Sequence, residues 1–262
     1  MLPEPIAARA ETDQELVAAF ASSTPVKHVV LDDFLEPQTA DALFADLPRV
    51  DAMPKSRDYM FSDKHELSTL DSHSALTRTV HDAFTSPEFA DLMSALVGRT
   101  VFLDPEYHGG GFHAGADGSY LDLHTDFNVH PVHPTWRREL NILLYLNPSW
   151  EPSWGGELRL TDTPERPGIT VAPLFNRLVI MESTDRSYHG YDKITFPPGL
   201  SRRSVAAYGY SLVREGALKR RTTSWSPQNA GPGKRLLAKN WNRIVLTKNR
   251  YLGSGTLKNR QP

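Results

Sequence analysis

The strongest constraint on the fold is a series of short candidate strands that fills the middle of the chain. From Thr100 onward, apolar and β-branched runs alternate with turn signals such as Asp117-Gly118 and Pro167-Gly168. Many short strands at this spacing are typical of a double-sheet jelly roll, also called a double-stranded β-helix or cupin-like barrel. The candidate strands are 101–103, 110–114, 119–124, 139–146, 157–160, 169–171, 177–181 and 203–211.

The first 99 residues carry a helical pattern instead. Apolar residues recur at helical spacing in 16–21, 39–47, 76–84 and 87–97. One opening strand is expected at 29–31, and the polar stretch 51–71 is expected to be a loop. Helices followed by a barrel indicate the α+β class. We therefore expect an N-terminal helical support region with one opening strand (1–99), a jelly-roll catalytic core (100–211) and a basic C-terminal extension packed on the core (212–262).

Composition excludes several classes of protein. The 262 residues include no cysteine, which rules out disulfides, thiolate metal sites and cysteine nucleophiles. No apolar run approaches the roughly 18 residues of a membrane span, and the first residues lack the basic and apolar regions of a signal peptide. We therefore expect a cytoplasmic protein with no membrane partner.

The charge is unevenly distributed, although the net charge is only −2. Residues 212–262 hold 12 Lys and Arg residues and one acidic residue, which gives this segment +11 and the rest of the chain −13. Such a segment either packs on an acidic body or binds an anionic partner such as nucleic acid. Apolar residues at helical spacing in 236–246 favour docking on the acidic N-terminal part, which leaves nucleic acid as the less favoured partner.

A histidine and an aspartate stand two positions apart at the end of one candidate strand. His124 and Asp126 close a run that begins at Tyr120, and residues i and i+2 of a strand point the same way. The imidazole and the carboxylate can therefore reach one metal ion. A third candidate ligand, His189, stands before Gly190 about sixty residues downstream. Taken alone, such residues are most often surface or loop residues, but two His and one carboxylate form a facial triad that leaves positions open on a metal.

An arginine and a serine follow in a second strand. Arg202 comes thirteen residues after His189, and Ser204 shares its strand face. A guanidinium with a neighbouring hydroxyl can bind a carboxylate, as a dicarboxylate cosubstrate would require. Arg203 points to the other face of a regular strand, toward solvent or packing, and a one-residue slip would exchange the two arginines.

This combination resembles the Fe(II)/2-oxoglutarate-dependent dioxygenase superfamily, and within it the prolyl-4-hydroxylase-like branch. The similar residues run from His124 to Tyr210 and include the segments 140–147 and 154–158. The segment 29–35 is similar to the opening strand of that branch. In all, the resemblance covers about two thirds of the chain.

The resemblance implies an enzyme that hydroxylates an unactivated C–H bond of an amino-acid, peptidyl or natural-product substrate. It implies O₂ and 2-oxoglutarate as cosubstrates, succinate and CO₂ as products, and ascorbate as a candidate stimulant. The catalytic metal ligands for Fe(II) would be His124, Asp126 and His189. Arg202, Ser204 and Tyr145 would bind 2-oxoglutarate, although Tyr145 could equally be a core tyrosine. The alternative is a cupin-type metal-binding protein, or an isomerase that does not use 2-oxoglutarate.

Two further features bear on the substrate and on a second metal. Prolyl hydroxylases often have an aromatic residue about nine positions before the first metal His, but Gly115 occupies that position here. The substrate therefore cannot be assigned by analogy. His130 and His133 lie in a loop with two prolines, which argues against helix-type pairing of the two histidines on a second metal.

Overall fold

The computed structural model describes residues 13–55, 60–68, 70–228 and 230–252. The helices are α1 (Asp13–Ser22), α2 (Pro37–Asp46), α3 (Ala75–Phe84), α4 (Pro87–Val97) and α5 (Pro232–Leu252). The strands are β1 (His28–Leu31), β2 (Ser62–Asp63), β3 (His65–Leu67), β4 (Phe102–Leu103), β5 (Gly111–Gly115), β6 (Tyr120–Thr125), β7 (Trp136–Tyr145), β8 (Leu158–Thr161), β9 (Ile169–Val171), β10 (Arg177–Glu182), β11 (Tyr188–Tyr191), β12 (Arg202–Leu212) and β13 (Ser224–Trp225).

The strands form two antiparallel sheets, which is the arrangement of a jelly roll. The major sheet has the order β1-β10-β7-β12-β5-β3, with β4 also paired to β12. The minor sheet has the order β13-β6-β11-β8-β9, with β2 also paired to β6. The α+β jelly-roll prediction is therefore confirmed.

Alternate side chains of β7 face the apolar core and the interior of the barrel. Leu140, Ile142 and Leu144 belong to the apolar core that the major sheet shares with α1–α4. The intervening residues Asn141 and Leu143 line a cavity between the two sheets. Because successive side chains of a strand point to opposite faces, β7 contributes both to the apolar core and to the lining of the cavity.

Two bulges adjust which side chains enter the barrel. In β7, the partners of Gly209 and Tyr210 are Leu140 and Arg138, so Glu139 is skipped in the register. In β6, His124 pairs with His189 but Leu121 pairs with Tyr191, so two residues of β6 lie opposite one of β11. An extra residue in one strand reverses the facing of those that follow, which allows Leu121 and His124 to line the same cavity.

Serine caps begin two of the helices on the outer face of the major sheet. Ser74 accepts a hydrogen bond from the Thr77 amide in a capping box at the start of α3. Ser86 accepts one from the Phe89 amide at the start of α4, and Gly98 ends that helix in the left-handed conformation with φ 72°. These caps fix the ends of the two helices that the apolar periodicity predicts.

The expectation that 51–71 is a loop is wrong, because β2 and β3 lie within it. Strands β11 and β13 were also not among the candidates, and β7 begins at Trp136, earlier than position 139. The missed strands are short, and backbone pairing with a neighbouring strand defines them rather than an apolar alternation of their own. The division of the chain at 99 and 211 remains a prediction.

The basic C-terminal segment returns to the barrel and packs beside β6. Trp225 stacks on Phe61 with ring centroids 4.9 Å apart, and Trp241 of α5 meets Phe61 edge-on at 5.2 Å. Lys234 at the start of α5 forms a 2.6 Å ion pair with Asp122. In the part of the chain that the structure describes, no helix combines the length and apolarity needed to cross a bilayer.

We expect a Phe61→Ala variant to lose about 3–5 kcal/mol of unfolding free energy, because Phe61 is fully buried between the two tryptophans. Urea denaturation measures the loss. Leu236→Ala is the matched control on α5, since Leu236 is 65% exposed and its removal should change the unfolding free energy by less than about 0.5 kcal/mol. Similar effects of the two variants would contradict this packing of α5.

Candidate functional site

His124, Asp126 and His189 converge in the cavity between the sheets. His189 of β11 lies directly opposite His124 of β6, and Asp126 follows β6. The Nε2 atoms of His124 and His189 each lie 3.6 Å from a carboxylate oxygen of Asp126. One ligand atom from each residue lies within 4.8 Å of the others, and all three side chains are buried. The structure therefore brings the three predicted metal ligands together.

Backbone carbonyls fix how the two histidines present their nitrogens. The Nδ1–H of His124 donates to Asp122 O at 3.0 Å, and that of His189 donates to Ser187 O at 3.1 Å. The Nε2 lone pairs are thus left facing the centre of the cluster, the tautomer that a metal ligand requires. Burial, with His189 nearby, lowers the pKa of His124 to about 3, so its imidazole is neutral at neutral pH.

A buried arginine fixes the charge and orientation of Asp126. Burial by itself raises the pKa of this carboxyl, but Arg138 and the two histidines hold it well below its usual value. Arg138 Nη1 lies 2.9 Å from Asp126 Oδ2, and its guanidinium is sandwiched between the rings of Phe127 and Tyr208 at 3.7 and 3.6 Å. Asp126 is therefore held as a carboxylate, as a metal ligand requires.

Asn141 links the carboxylate to the second histidine. Its Nδ2 lies 3.3 Å from Asp126 Oδ2 and 3.1 Å from His189 Nε2. An amide donor that reaches both atoms is consistent with a lone pair on each. Two neutral imidazoles and one carboxylate suit a divalent transition metal such as Fe(II), so the donor set fits the group that the resemblance implies.

Arg202 lines the same cavity, which has a volume of about 60 Å³. Its Nη2 donates to Tyr145 Oη at 3.1 Å, and its Nε donates to Gly156 O at 2.8 Å. The guanidinium also lies 4.2 Å from the ring centroid of Tyr191. Arg202 is only 7% exposed, yet it forms no ion pair with any residue that the structure describes. A buried charge without a counter-charge is costly, which indicates that an anion completes this site.

The other predicted residues of the cosubstrate site share this cavity. Ser204 and Tyr145 both line it, and burial raises the pKa of the Tyr145 phenol despite the opposing effect of Arg202. Tyr145 therefore remains a neutral hydroxyl. Arg203 lies on the opposite face of β12, where its Nε donates to Ser201 Oγ at 2.8 Å and its guanidinium lies 5.4 Å from the Phe44 ring.

Several side chains of the site were not predicted from the sequence. Arg138 was missed because the bulge at Glu139 reverses its facing, which a regular alternation cannot foresee. His113 lines the cavity from β5, and Trp225 lies 4.7 Å from the His124 ring. Asn141 was detectable, because it is four residues before Tyr145 on one strand face.

A second cluster with metal-ligand residues lies outside the cavity. Asp104, His108 and His130 have ligand atoms within 4.8 Å of one another. The Nδ1 of His130 accepts the backbone N–H of Val132 and of His133, at 3.2 and 3.0 Å. Its Nε2 therefore carries the hydrogen and donates to Asp104 Oδ2 at 3.3 Å, so no lone pair of His130 points into the cluster. This geometry favours a structural hydrogen-bond network over a second metal site.

We expect the metal-free protein to lose stability as the pH falls from about 6.5 toward 3. Burial lowers the pKa of His113 from 6.5 to about 3, so in this range the unfolded chain takes up a proton that the folded protein does not. Urea denaturation between pH 7 and 5 should therefore give a smaller slope of unfolding free energy against pH for His113→Gln. The reduction is at most about 1.4 kcal/mol per pH unit. An unchanged slope would contradict the assignment to His113.

Comparison with known families identifies the core of the barrel. Residues 110–210 match the model of the 2OG-Fe(II) oxygenase superfamily. Residues 110–210 are therefore similar in sequence to a 2OG-Fe(II) oxygenase domain. The match begins at β5 and ends within β12, so it includes every residue that the sequence assigned to the metal and the cosubstrate. Fe(II) and 2-oxoglutarate are therefore the metal and the cosubstrate of this oxidoreductase.

Several solved structures have a fold similar to that of this chain. A prolyl-4-hydroxylase from Pseudomonas putida is 17% identical with a TM-score of 0.54, and the match covers 78% of this chain and 100% of that one. A prolyl hydroxylase from Trichoplax adhaerens, in complex with a hypoxia-inducible-factor peptide fragment, is 14% identical with a TM-score of 0.52, over 76% and 88% of the two chains. HygX from Streptomyces hygroscopicus, with nickel, 2-oxoglutarate and hygromycin B bound, is 11% identical with a TM-score of 0.51, over 76% and 87%.

These structures confirm the expected resemblance to prolyl-4-hydroxylase-like oxygenases. At these identities the likeness concerns the fold alone. A comparison with curated protein sequences found no match.

Proposed function

We propose that this oxygenase is a hydroxylase that converts an unactivated C–H bond of an amino-acid, peptidyl or natural-product substrate into C–OH. In the overall reaction, one oxygen atom of O₂ enters the substrate and the other enters succinate, while 2-oxoglutarate loses CO₂. Bound Fe(II) supplies the oxygen activation that couples these two oxidations. The chain itself supplies the ligands, the binding of the cosubstrate and the orientation of the substrate.

The observation that carries this proposal is a buried arginine in the same cavity as a His-Asp-His cluster, without an ion-pair partner in the part of the chain that the structure describes. Arg202 has the charge and planar geometry to bind the distal carboxylate of 2-oxoglutarate. His124, Asp126 and His189 would hold Fe(II) in that cavity. The cosubstrate 2-oxoglutarate would then be held by Arg202 at one end and by the metal at the other.

Neighbouring residues would orient these groups. Tyr145 accepts a hydrogen bond from Arg202 Nη2, which leaves its neutral O–H free to donate to a bound carboxylate, and Ser204 offers a second hydroxyl nearby. Arg138 and Asn141 would hold the Asp126 carboxylate in one orientation. Such supporting contacts typically change metal affinity or activity by about 10- to 100-fold.

The alternative of a cupin-type protein or isomerase without 2-oxoglutarate has less support. It would need no cation in the cavity, yet Arg202 is buried there, and the matching superfamily uses 2-oxoglutarate. One neighbour of similar fold is described as an α-ketoglutarate-dependent epimerase, 14% identical with a TM-score of 0.50. Epimerisation with 2-oxoglutarate is therefore the second candidate reaction, and product analysis separates it from hydroxylation.

The cellular setting is a further part of the proposal. A cytoplasmic location remains a prediction from composition. The basic residues of α5 include Arg235 and Lys239, which are exposed, whereas Lys234 is paired with Asp122. Because this helix also packs on Phe61 and Trp225, we propose a mainly structural role for it rather than nucleic-acid binding.

The test is succinate formation from 2-oxoglutarate with Fe(II) and ascorbate, in the presence of amino acids, peptides and cell extract. A hydroxylase should form succinate in proportion to a product that has gained one oxygen atom. An epimerase should consume 2-oxoglutarate and give a product of unchanged mass. Failure to form succinate under all conditions would contradict both reactions.

A further inference from the structure

Arg221 lies at the rim where the strands with the predicted metal ligands end. Its segment runs antiparallel to the residues that follow β6: the Arg221 amide donates to Asn128 Oδ1 at 2.8 Å, and the Asn128 amide donates to Arg221 O at 3.4 Å. The guanidinium Nη2 donates to the main-chain oxygen of Asp126 at 2.9 Å. The side chain is therefore anchored by the backbone of a metal-ligand residue and not by an acidic group.

The remaining hydrogen-bonding capacity of Arg221 is unused. Its Nε is buried and has no hydrogen-bond partner among the described residues, and the guanidinium forms no ion pair with any of them. Asp185 and Asp126 both act on the Arg221 guanidinium through their charge, but neither forms an ion pair with it, and Asp126 is paired with Arg138. Arg220, by contrast, donates to the carbonyl oxygens of His130 and Pro131. A buried N–H without an acceptor is rare in folded proteins and calls for a ligand or a water molecule.

This group is distinct from the arginine assigned to the cosubstrate. Arg202 and Ser204 line the cavity between the sheets, whereas Arg221 is not among the residues of that cavity. Arg221 instead precedes β13, the edge strand paired with Thr125 and His124 of β6. An anion bound here would lie beside Asp126, outside the site for 2-oxoglutarate.

We infer that Arg221 binds a carboxylate of the substrate and so selects a carboxylic acid, such as a free amino acid, over its neutral derivatives. The Nε–H and an adjacent Nη–H lie on one edge of a guanidinium and match the two oxygens of a carboxylate. Because the guanidinium is anchored to Asp126 O, the bound acid is held next to the metal ligands, where orientation of its C–H bond matters most. The inference rests on the proposed function and names the substrate class for it.

Calorimetry on the protein loaded anaerobically with Fe(II) and 2-oxoglutarate tests this inference without turnover. The probes are the twenty common L-amino acids and their amides. At least one acid should bind, and its amide should bind about 10- to 100-fold more weakly. Arg221→Gln should lower the affinity for the acid by a similar factor and leave the affinity for the amide unchanged. Arg220→Gln is the matched control and should behave like the wild type.

Arg221→Lys keeps the charge without the planar edge and should retain more affinity for the acid than Arg221→Gln. The inference is overturned if no acid binds, if acid and amide bind equally, if the Arg220 and Arg221 variants lose affinity equally, or if the Lys variant is the weaker binder. Succinate formation is measured separately on the wild type. Its absence with every probe would remove the proposed function, while the calorimetric comparison would still decide the role of Arg221.

Discussion

An Asp126→Ala variant is expected to lose Fe(II) binding and at least about 10³-fold in succinate formation, the scale seen when one member of a catalytic set is removed. Asp126 is the only carboxylate of the His124–Asp126–His189 cluster, and its ionised form is stabilised by Arg138 at 2.9 Å. Its removal takes away one of the three predicted ligands and the negative charge that offsets that of the metal, so Fe(II) should bind less strongly. Calorimetric titration with Fe(II) under anaerobic conditions and a succinate assay measure the two losses.

The same substitution also leaves Arg138 buried without its partner, which is expected to cost about 3–5 kcal/mol of stability. A loss of activity could then reflect unfolding. The double variant Asp126→Ala/Arg138→Met is the control, because it removes both charges and should recover much of the stability without recovering metal binding. Retained Fe(II)-dependent turnover in either variant would remove Asp126 from the metal site.

An Arg202→Ala variant is expected to raise the KM for 2-oxoglutarate by about 10- to 100-fold, which corresponds to the loss of roughly 1.5–3 kcal/mol from charge-assisted hydrogen bonds. The arginine is buried beside Tyr145, and both side chains line the same cavity as the predicted metal ligands. Steady-state kinetics with varied 2-oxoglutarate measure the effect. Fe(II) affinity without 2-oxoglutarate should change little, because Arg202 does not contact the cluster.

Arg203→Ala is the matched control one position along β12. Arg203 lies over Phe44 on the opposite face, so its removal should leave the KM for 2-oxoglutarate close to the wild-type value. A larger KM for Arg203→Ala than for Arg202→Ala would mean that the two arginines exchange roles, and the assignment of the cosubstrate pocket would have to be revised.

Local patterns were sufficient to predict the features that depend on a single strand or helix. His124 and Asp126 were expected on one side of β6 because strand residues two apart share a face, and Arg202 and Ser204 follow the same rule on β12. The apolar periodicity of 76–84 and 87–97 likewise predicted α3 and α4. In each case the information lies within about ten consecutive residues.

Features that depend on pairing between distant segments were not predictable in this way. The bulge at Glu139 turns Arg138 inward only because β12 pairs with β7 in a shifted register. Trp225 reaches His124 because the chain returns after β12 and adds β13 to the edge of the minor sheet. Strands as short as β2 and β13 have no periodicity of their own, so nothing in their sequences distinguishes them from loops.

The central claim is that Fe(II) binds between His124, Asp126 and His189. A crystal structure of the protein with Fe(II) and 2-oxoglutarate, grown anaerobically and measured at the iron absorption edge, tests it most directly. We predict one anomalous peak bounded by the Nε2 atoms of the two histidines and a carboxylate oxygen of Asp126, with the 2-oxoglutarate carboxylate at Arg202. A peak at the Asp104–His108–His130 cluster instead, or no peak between the three predicted ligands, would contradict the claim.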